Sequence, residues 1–111
     1  MARYLQVVTT RPHPGAEDQF NHWYDTVHLP EVLTLDGVVS AHRFTIAHPT
    51  DDDGPQYVAL YELETEDLTA TLAYLDAALD TLTMSSALDV DATDFRFYRP
   101  LGSWTRSAPD G

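Results

Sequence analysis

The stretch "FNHWYDTVHLPEV" contains the residues best suited to acid–base chemistry. On an α-helix, Phe20, Trp23, Tyr24 and Val27 share one apolar stripe, and this stripe ends in the imidazole of His28. Apolar surroundings disfavour a charged imidazole and lower its pKa, so a neutral ring can act as a base near pH 7. The pattern fits a structural histidine bonded to a backbone carbonyl equally well, and the residues alone leave both interpretations open.

Other side chains near this helix could assist a base. Tyr24 lies one turn before His28, and its hydroxyl could donate to a substrate carbonyl or enolate, or fill the core. His42 and Arg43 are adjacent on a predicted strand, so one of them should face the helices and the pocket. Arg43 could bind a carboxylate or enolate oxygen, or pair with an acid such as Glu62. The candidates for catalytic roles are therefore His28, Tyr24 and Arg43, and the candidates for substrate contacts are Phe20, Trp23, Val27, His42 and Tyr61.

Composition limits the available chemistry. All six basic residues are arginine, so there is no lysine for a Schiff base or a phosphate loop, and there is no cysteine for a thiol nucleophile or thiolate metal site. No glycine-rich nucleotide motif occurs. Asp18, His22 and Asp25 could be drawn as a metal site, but a solvated helix face explains them more simply. We therefore expect no metal and no nucleotide cofactor, while composition alone leaves another non-covalent cofactor open.

The charge balance argues against anionic partners. Eighteen acidic residues face six basic ones, for a formal net charge of -12, so nucleic acid and anionic membrane surfaces would be repelled. No apolar run approaches the roughly 20 residues of a membrane-spanning helix, and the N-terminus has no signal-peptide pattern. We expect a cytoplasmic protein.

The order of predicted elements indicates the fold. Pro30 should disrupt the first helix near Leu29, and Thr65 is the expected N-cap of a second helix, in which leucines recur from Leu68 to Leu82. The order β-α-β-β-α-β predicts an α+β, ferredoxin-like fold, a four-stranded antiparallel sheet with two helices on one face. One domain should span residues 1–111, with residues from about 105 as a flexible tail. The predicted strands are Arg3–Thr10, Val38–Ala47, Tyr57–Glu64 and Phe95–Pro100, and the first helix begins near Glu17.

The opposite face of such a sheet would lack a cover. In either register the third strand places apolar residues there, Val58 and Leu60 or the set Tyr57, Ala59, Tyr61 and Leu63. A second copy of the same sheet is the simplest cover for such a surface. We predict a homodimer.

The first helix and the strand after it resemble the signature of a known family. The segment "FNHWYDTVHLPEVLTLDGVVSAHRF" is similar to the signature of EthD-like members of the dimeric α/β-barrel superfamily, a "WYxxxHxPx" helix, a "PG"-type turn and an "xSAxRF" strand. Asp36 departs from that pattern, standing where a proline is usual. The resemblance extends to "YVALYELE" and "FRFYRPLG", and so covers nearly the whole chain. The matching residues are Trp23, Tyr24, His28, Pro30, Gly37, Ser40, Ala41, Arg43 and Phe44.

The resemblance implies a pocket between sheet and helices for a small hydrophobic, often cyclic or polyketide-derived molecule. It also implies an acid–base role for His28. We expect a cofactor-independent enzyme acting on a carbonyl or phenol by cyclisation, dehydration, decarboxylation or isomerisation. Two alternatives stay open: a cofactor-free monooxygenase of a phenolic substrate, and a small-molecule-binding accessory protein without turnover.

Overall fold

The computed structural model describes residues 2–48 and 56–107. Within them four strands form one antiparallel sheet in the order β2-β3-β1-β4, with the helices on one face, which confirms the α+β, ferredoxin-like prediction. Most of the predicted polar loop between the second and third strands lies outside the described residues. The strands are β1 (Ala2–Thr10), β2 (Val38–Thr45), β3 (Tyr57–Thr65) and β4 (Asp94–Tyr98).

The first helical layer is longer than the sequence predicts. Three segments follow one another directly: α1 (Glu17–Trp23), a π-helical segment (Tyr24–His28) and α2 (Leu29–Val32). Pro30 lies inside α2 and does not end the helical run. The wider π turn accommodates it, because in a regular α-helix the proline ring would crowd a carbonyl of the preceding turn.

The N-cap of the second helix lies two residues after the predicted one. Helix α3 (Leu68–Leu79) has Asp67 as its N-cap, whose carboxylate accepts a hydrogen bond from Ala70 N at 3.1 Å. Thr65 is the last residue of β3 and accepts a hydrogen bond from Asp67 N at 3.1 Å. The prediction of Thr65 as the cap was therefore wrong, since the strand extends through it and the following carboxylate takes the role.

The strand register decides which side chains face the helices. Val8 pairs with Ala59 on β3 and with Phe95 on β4, and Gln6 pairs with Tyr61 and Phe97. These residues share the helix-covered face, because paired positions project to the same side of a sheet. The buried core combines this face with the first helical layer, and its members include Val8, Phe20, Trp23, Tyr24, Val32, Ala59, Tyr61 and Leu63.

The opposite face of the sheet, which we call the open face, carries no helix. One end of it is charged, where Arg3 pairs with Glu62 at 3.0 Å and with Glu64 at 3.2 Å. Much of the remainder is apolar, with Phe44 and Tyr98 exposed, although His42, Arg96 and Asp94 also lie on this face. The apolar residues of the open face are Leu5, Val7, Phe44, Val58, Leu60 and Tyr98. Across residues 2–48 and 56–107, every helix is too short or too polar to traverse a bilayer.

Candidate functional site

The π-helical segment positions two of the predicted catalytic residues, because Tyr24 is its first residue and His28 its last. The backbone N–H of Leu29 donates to the carbonyl of Tyr24, the five-residue spacing that defines this wider helix. Such insertions are common at functional sites, since an extra residue in one turn redirects the side chains that follow it. The π-helical backbone is therefore a second reason, besides their side-chain chemistry, to consider Tyr24 and His28 as functional residues.

His28 occupies an apolar position at the end of this segment. Its ring stacks on Trp23, with 4.7 Å between centroids, and meets the ring of Tyr24 edge-on at 4.9 Å. The residue is only 9% exposed, and its Nδ1 atom is buried without a hydrogen-bond partner among the described residues. Native proteins rarely leave a buried polar atom unsatisfied, and such atoms often mark a functional site.

Burial sets the charge state of this imidazole. It lowers the pKa of His28 to about 4, and the nearby Arg43 guanidinium acts in the same direction, while the Glu31 carboxylate partly opposes them. His28 is therefore neutral at pH 7. A neutral ring has one nitrogen free to accept a proton, as a general base requires.

A pair of hydroxyl groups lies beside the imidazole. The hydroxyl oxygens of Tyr24 and Tyr61 are 3.1 Å apart, and both residues are buried. Burial raises the pKa of both phenols, so both keep their protons at neutral pH. One proton serves the hydrogen bond between them. The other is available to a third oxygen, which makes the pair a hydrogen-bond donor for a ligand.

These groups line one cavity between the sheet and the helices, with a volume of about 640 Å³. That size suits a small molecule, and most of the lining is apolar, as is usual for ligand pockets. Its walls come from the first helical layer, the helix-covered face of the sheet, α3 and the segment after α3. The lining includes Gln6, Val8, Thr10, Trp23, Tyr24, His28, Val32, Tyr61, Leu72, Leu75, Asp76, Leu79, Asp80, Leu82, Met84, Phe95 and Phe97.

Two side chains of the first helical layer hold the segment after α3 in place. The indole Nε1 of Trp23 donates to the carbonyl of Thr83 at 2.8 Å. The Glu31 carboxylate accepts from Thr83 N at 2.9 Å and from its hydroxyl at 3.3 Å. Leu82 and Met84, on either side of Thr83, line the cavity. These bonds therefore fix one wall of the pocket and also orient Trp23, on which His28 stacks.

Arg43 lies on the helix-covered face but does not line the cavity. Its guanidinium pairs with Asp25 at 2.6 Å, donates to Asn21 at 2.8 Å and lies over the Tyr24 ring at 4.4 Å. The acid it pairs with is thus Asp25 and not Glu62, which points to the open face because strand side chains alternate. Arg43 therefore contacts the ring of Tyr24 from outside the pocket and holds it in place.

The predicted site residues separate into two groups. Trp23, Tyr24, His28 and Tyr61 line the cavity together. Phe20 is fully buried behind them and contacts Tyr24 edge-on at 5.4 Å, so it supports the wall without reaching the ligand space.

Two predicted contacts lie outside the cavity. Val27 packs against the core from the first helical layer but does not line the pocket. His42 pairs with Leu60 on the open face, because Arg43 next to it faces the helices. The structure thus resolves which of the two neighbours turns toward the helices, and it is the arginine.

Several lining residues were not singled out from the sequence. Gln6 lies two positions before Val8 on β1, and strand alternation alone would have placed both on one face. The leucines of α3 were identified as an apolar stripe, and Leu72, Leu75 and Leu79 of that stripe line the cavity. Asp76 and Asp80 on its flank carried no signal beyond their one-turn spacing.

No cluster of three or more His, Asp or Glu side chains suited to a metal ion occurs within residues 2–48 and 56–107. The site consists of a neutral imidazole and two phenol hydroxyls in an apolar cavity. These groups can move a proton and stabilise a developing oxyanion.

Comparisons with known proteins agree with this architecture. Residues 3–88 match the model of a family described as a domain of unknown function, DUF4286. A Bacillus cereus protein, described provisionally as an antibiotic biosynthesis monooxygenase, has a similar structure, with a TM-score of 0.59, 9% identity and coverage of 96% of this chain and 100% of its own. An EthD family protein from Bacillus halodurans C-125 matches with a TM-score of 0.55, 11% identity and coverage of 88% and 99%.

No curated protein matches the chain. Identities this low show a shared fold and nothing finer. The resemblance drawn from the sequence is thus confirmed at the level of the fold, and the assignment to EthD itself stays a prediction.

Proposed function

Since the chain belongs to the DUF4286 family, whose description assigns no function, we propose from the site itself a cofactor-free enzyme acting on a small hydrophobic carbonyl or phenol. The observation that carries the proposal is His28, a nine-tenths buried imidazole with an unpartnered Nδ1, on the wall of an apolar cavity. A purely structural histidine would be expected to bond a backbone carbonyl, and this ring nitrogen bonds none.

In the proposed reaction His28 accepts a proton from a phenol or from the carbon next to a carbonyl. The electron pair moves onto the substrate oxygen, and the free proton of the Tyr24–Tyr61 pair donates a hydrogen bond to it. The developing oxyanion stabilises the imidazolium, so the pKa of His28 rises as the proton moves. Return of that proton to another substrate atom completes an isomerisation or cyclisation, and delivery to a leaving hydroxyl completes a dehydration.

Arg43 acts as a positioning residue in this scheme. Its guanidinium stacks on the Tyr24 ring and is fixed by Asp25 and Asn21, so it holds the phenol toward Tyr61. Phe20 and Trp23 supply the rigid apolar wall. Val27 and His42 take no part.

A cofactor-free monooxygenase is the second candidate. It would use the same base to form a phenolate in the same apolar cavity, and O₂ would then oxidise that electron-rich ring. The similarity in fold to the Bacillus cereus protein described as a monooxygenase supports this second candidate function. The two candidates differ in their need for oxygen.

The test is a panel of aromatic and polyketide-like carbonyls and phenols, incubated with the protein in air and under nitrogen and analysed by mass spectrometry. We expect product in both atmospheres, with unchanged mass for isomerisation, loss of water for dehydration or loss of CO₂ for decarboxylation. Product only in air, with added oxygen and O₂ consumption, would establish the monooxygenase instead. Ligands that bind in the cavity but are never converted would identify a binding protein and contradict catalysis.

We also propose that a second copy covers the open face to form a homodimer. Support comes from the contiguous apolar residues there, among them Val7, Leu60 and the exposed Phe44. Light scattering after size-exclusion chromatography should give about twice the mass of one chain. Leu60→Glu should shift the protein to monomer, because it buries a charge in the interface.

Ala73→Glu is the matched control, since Ala73 is exposed on α3 and gains the same charge away from the open face. It should remain dimeric. A wild-type protein that elutes with the mass of one chain at micromolar concentration would contradict the dimer.

A further inference from the structure

The charged groups that line the cavity are all of one sign. Asp76 and Asp80 both line it and are exposed, which places them where the cavity meets solvent. Asp76 lies on α3 and Asp80, four positions later, is the C-cap residue directly after it, so the two side chains project from the same side. Within the described residues neither carboxylate forms a hydrogen bond or an ion pair with another side chain. Two unneutralised carboxylates thus border the entrance of an otherwise apolar pocket.

No cation balances them. The chain has no lysine, and none of its six arginines, all of which lie within the described residues, lines the cavity. Arg3, Arg43 and Arg96 form ion pairs with acids elsewhere. Asp80 also follows the last turn of α3, which carries no basic residue, so the helix dipole adds negative potential at the same place.

The interior contributes no positive charge either. His28 is neutral at pH 7 and both tyrosines are protonated, so the deep end of the cavity is uncharged. His28 lines the same cavity, and its Nδ1 atom is buried without a hydrogen-bond partner among the described residues. An anionic group entering this space would lose its hydration and meet only like charges.

We infer that the cavity takes a hydrophobic molecule carrying a protonated amine, with its apolar body beside His28 and its ammonium group at Asp76 and Asp80. The same field disfavours the binding of carboxylates and phosphates. This inference rests on the proposed function and specifies its substrate class. It also makes decarboxylation of a free carboxylate the least favoured of the reactions considered.

Three probes with one apolar body test the charge rule: 1-naphthylmethylamine, 1-naphthylmethanol and 1-naphthoate. Each is titrated into the intact protein at pH 7 and low salt, and binding is followed by the NMR signal of the His28 ring, which is assigned by its loss in His28→Phe. We expect the amine to bind about fivefold tighter than the alcohol and the carboxylate to bind weakest, as suits exposed ion pairs. Added salt should reduce the preference for the amine.

A matched pair of variants locates the effect. In Asp76→Asn/Asp80→Asn the amine and alcohol should bind equally, within about twofold, while alcohol binding is unchanged. Asp18→Asn/Glu66→Gln makes the same change in net charge on exposed residues that do not line the cavity, and it should keep the preference. Loss of the preference in both variants would attribute it to net charge and overturn the site.

The outcomes separate the two proposals. If the alcohol shifts His28 but the amine binds no tighter, the charge rule is wrong and the acid–base proposal stands. If none of the probes shifts His28, the cavity does not admit such molecules, and both proposals fail.

Discussion

His28→Phe lowers turnover of the substrate identified by the panel by about 10²- to 10⁴-fold, the usual contribution of a general base. The substitution removes both ring nitrogens but keeps a flat ring that can stack on Trp23 and meet Tyr24 edge-on. Folding should be little affected at pH 7.5, because the Nδ1 atom has no hydrogen bond to lose. Steady-state rates and a denaturant unfolding curve for the same preparation give both quantities.

His22→Phe is the matched control. His22 lies on the same helical run, is exposed and undergoes the identical change of side chain. Its turnover should stay within about twofold of wild type, since surface substitutions rarely matter. If His28→Phe itself retains turnover within about threefold of wild type, a difference under about 1 kcal/mol, His28 is not the base.

The second expected result is a loss of stability in mild acid that depends on His28. Folding lowers the pKa of His28 from 6.5 to about 4. Between these pH values the unfolded chain therefore binds a proton that the folded protein does not bind. Above pH 6.5 the ring is neutral in both states and has no effect. As the pH falls through the window from 6.5 to 4, the free energy of unfolding decreases, and below 4 the effect is constant.

Between pH 7.5 and pH 5 this single group should remove about 2 kcal/mol from the unfolding free energy, since each pKa unit corresponds to about 1.4 kcal/mol. That range stays above the isoelectric point of about 4.4, where the protein would lose its repulsive net charge. Urea unfolding at a series of pH values measures the change.

Comparison with two variants separates the contribution of His28 from that of the other titrating groups. His28→Phe should show a drop smaller by about 2 kcal/mol than wild type over the same range, whereas His22→Phe should follow wild type. Parallel curves for wild type and His28→Phe would mean that the folded imidazole titrates normally, and the pKa lowered by burial would then be wrong.

Local patterns in the sequence were enough for the fold. Runs of β-forming residues between turn residues identified the strands, the leucine spacing identified α3, and the order of elements indicated a ferredoxin-like sheet that the structure confirms. These features depend on neighbours a few residues apart, where backbone geometry fixes which side chains share a face. The placement of Tyr24 and His28 on one stripe belongs to the same class of inference.

Element boundaries were less predictable for a physical reason. Pro30 normally disfavours a helix, but the π-helical segment accommodates it, and that segment is stabilised by packing of Trp23 and Tyr24 against the core. The cap of α3 depended on where β3 ends, which is set by pairing with β1 from Ala2 to Thr10. Both outcomes involve contacts between distant parts of the chain.

The tertiary structure alone decided the electrostatics of the site. Arg43 meets Asp25 and the ring of Tyr24, and it lies outside the cavity, because the register of β2 on β3 turns it toward the first helical layer. Asp76 and Asp80 were ordinary surface acids in the sequence and become the charged border of the pocket. Sequence patterns determined which groups the protein has and which local face each occupies. Their partners and solvation follow from long-range packing, which no local pattern encodes.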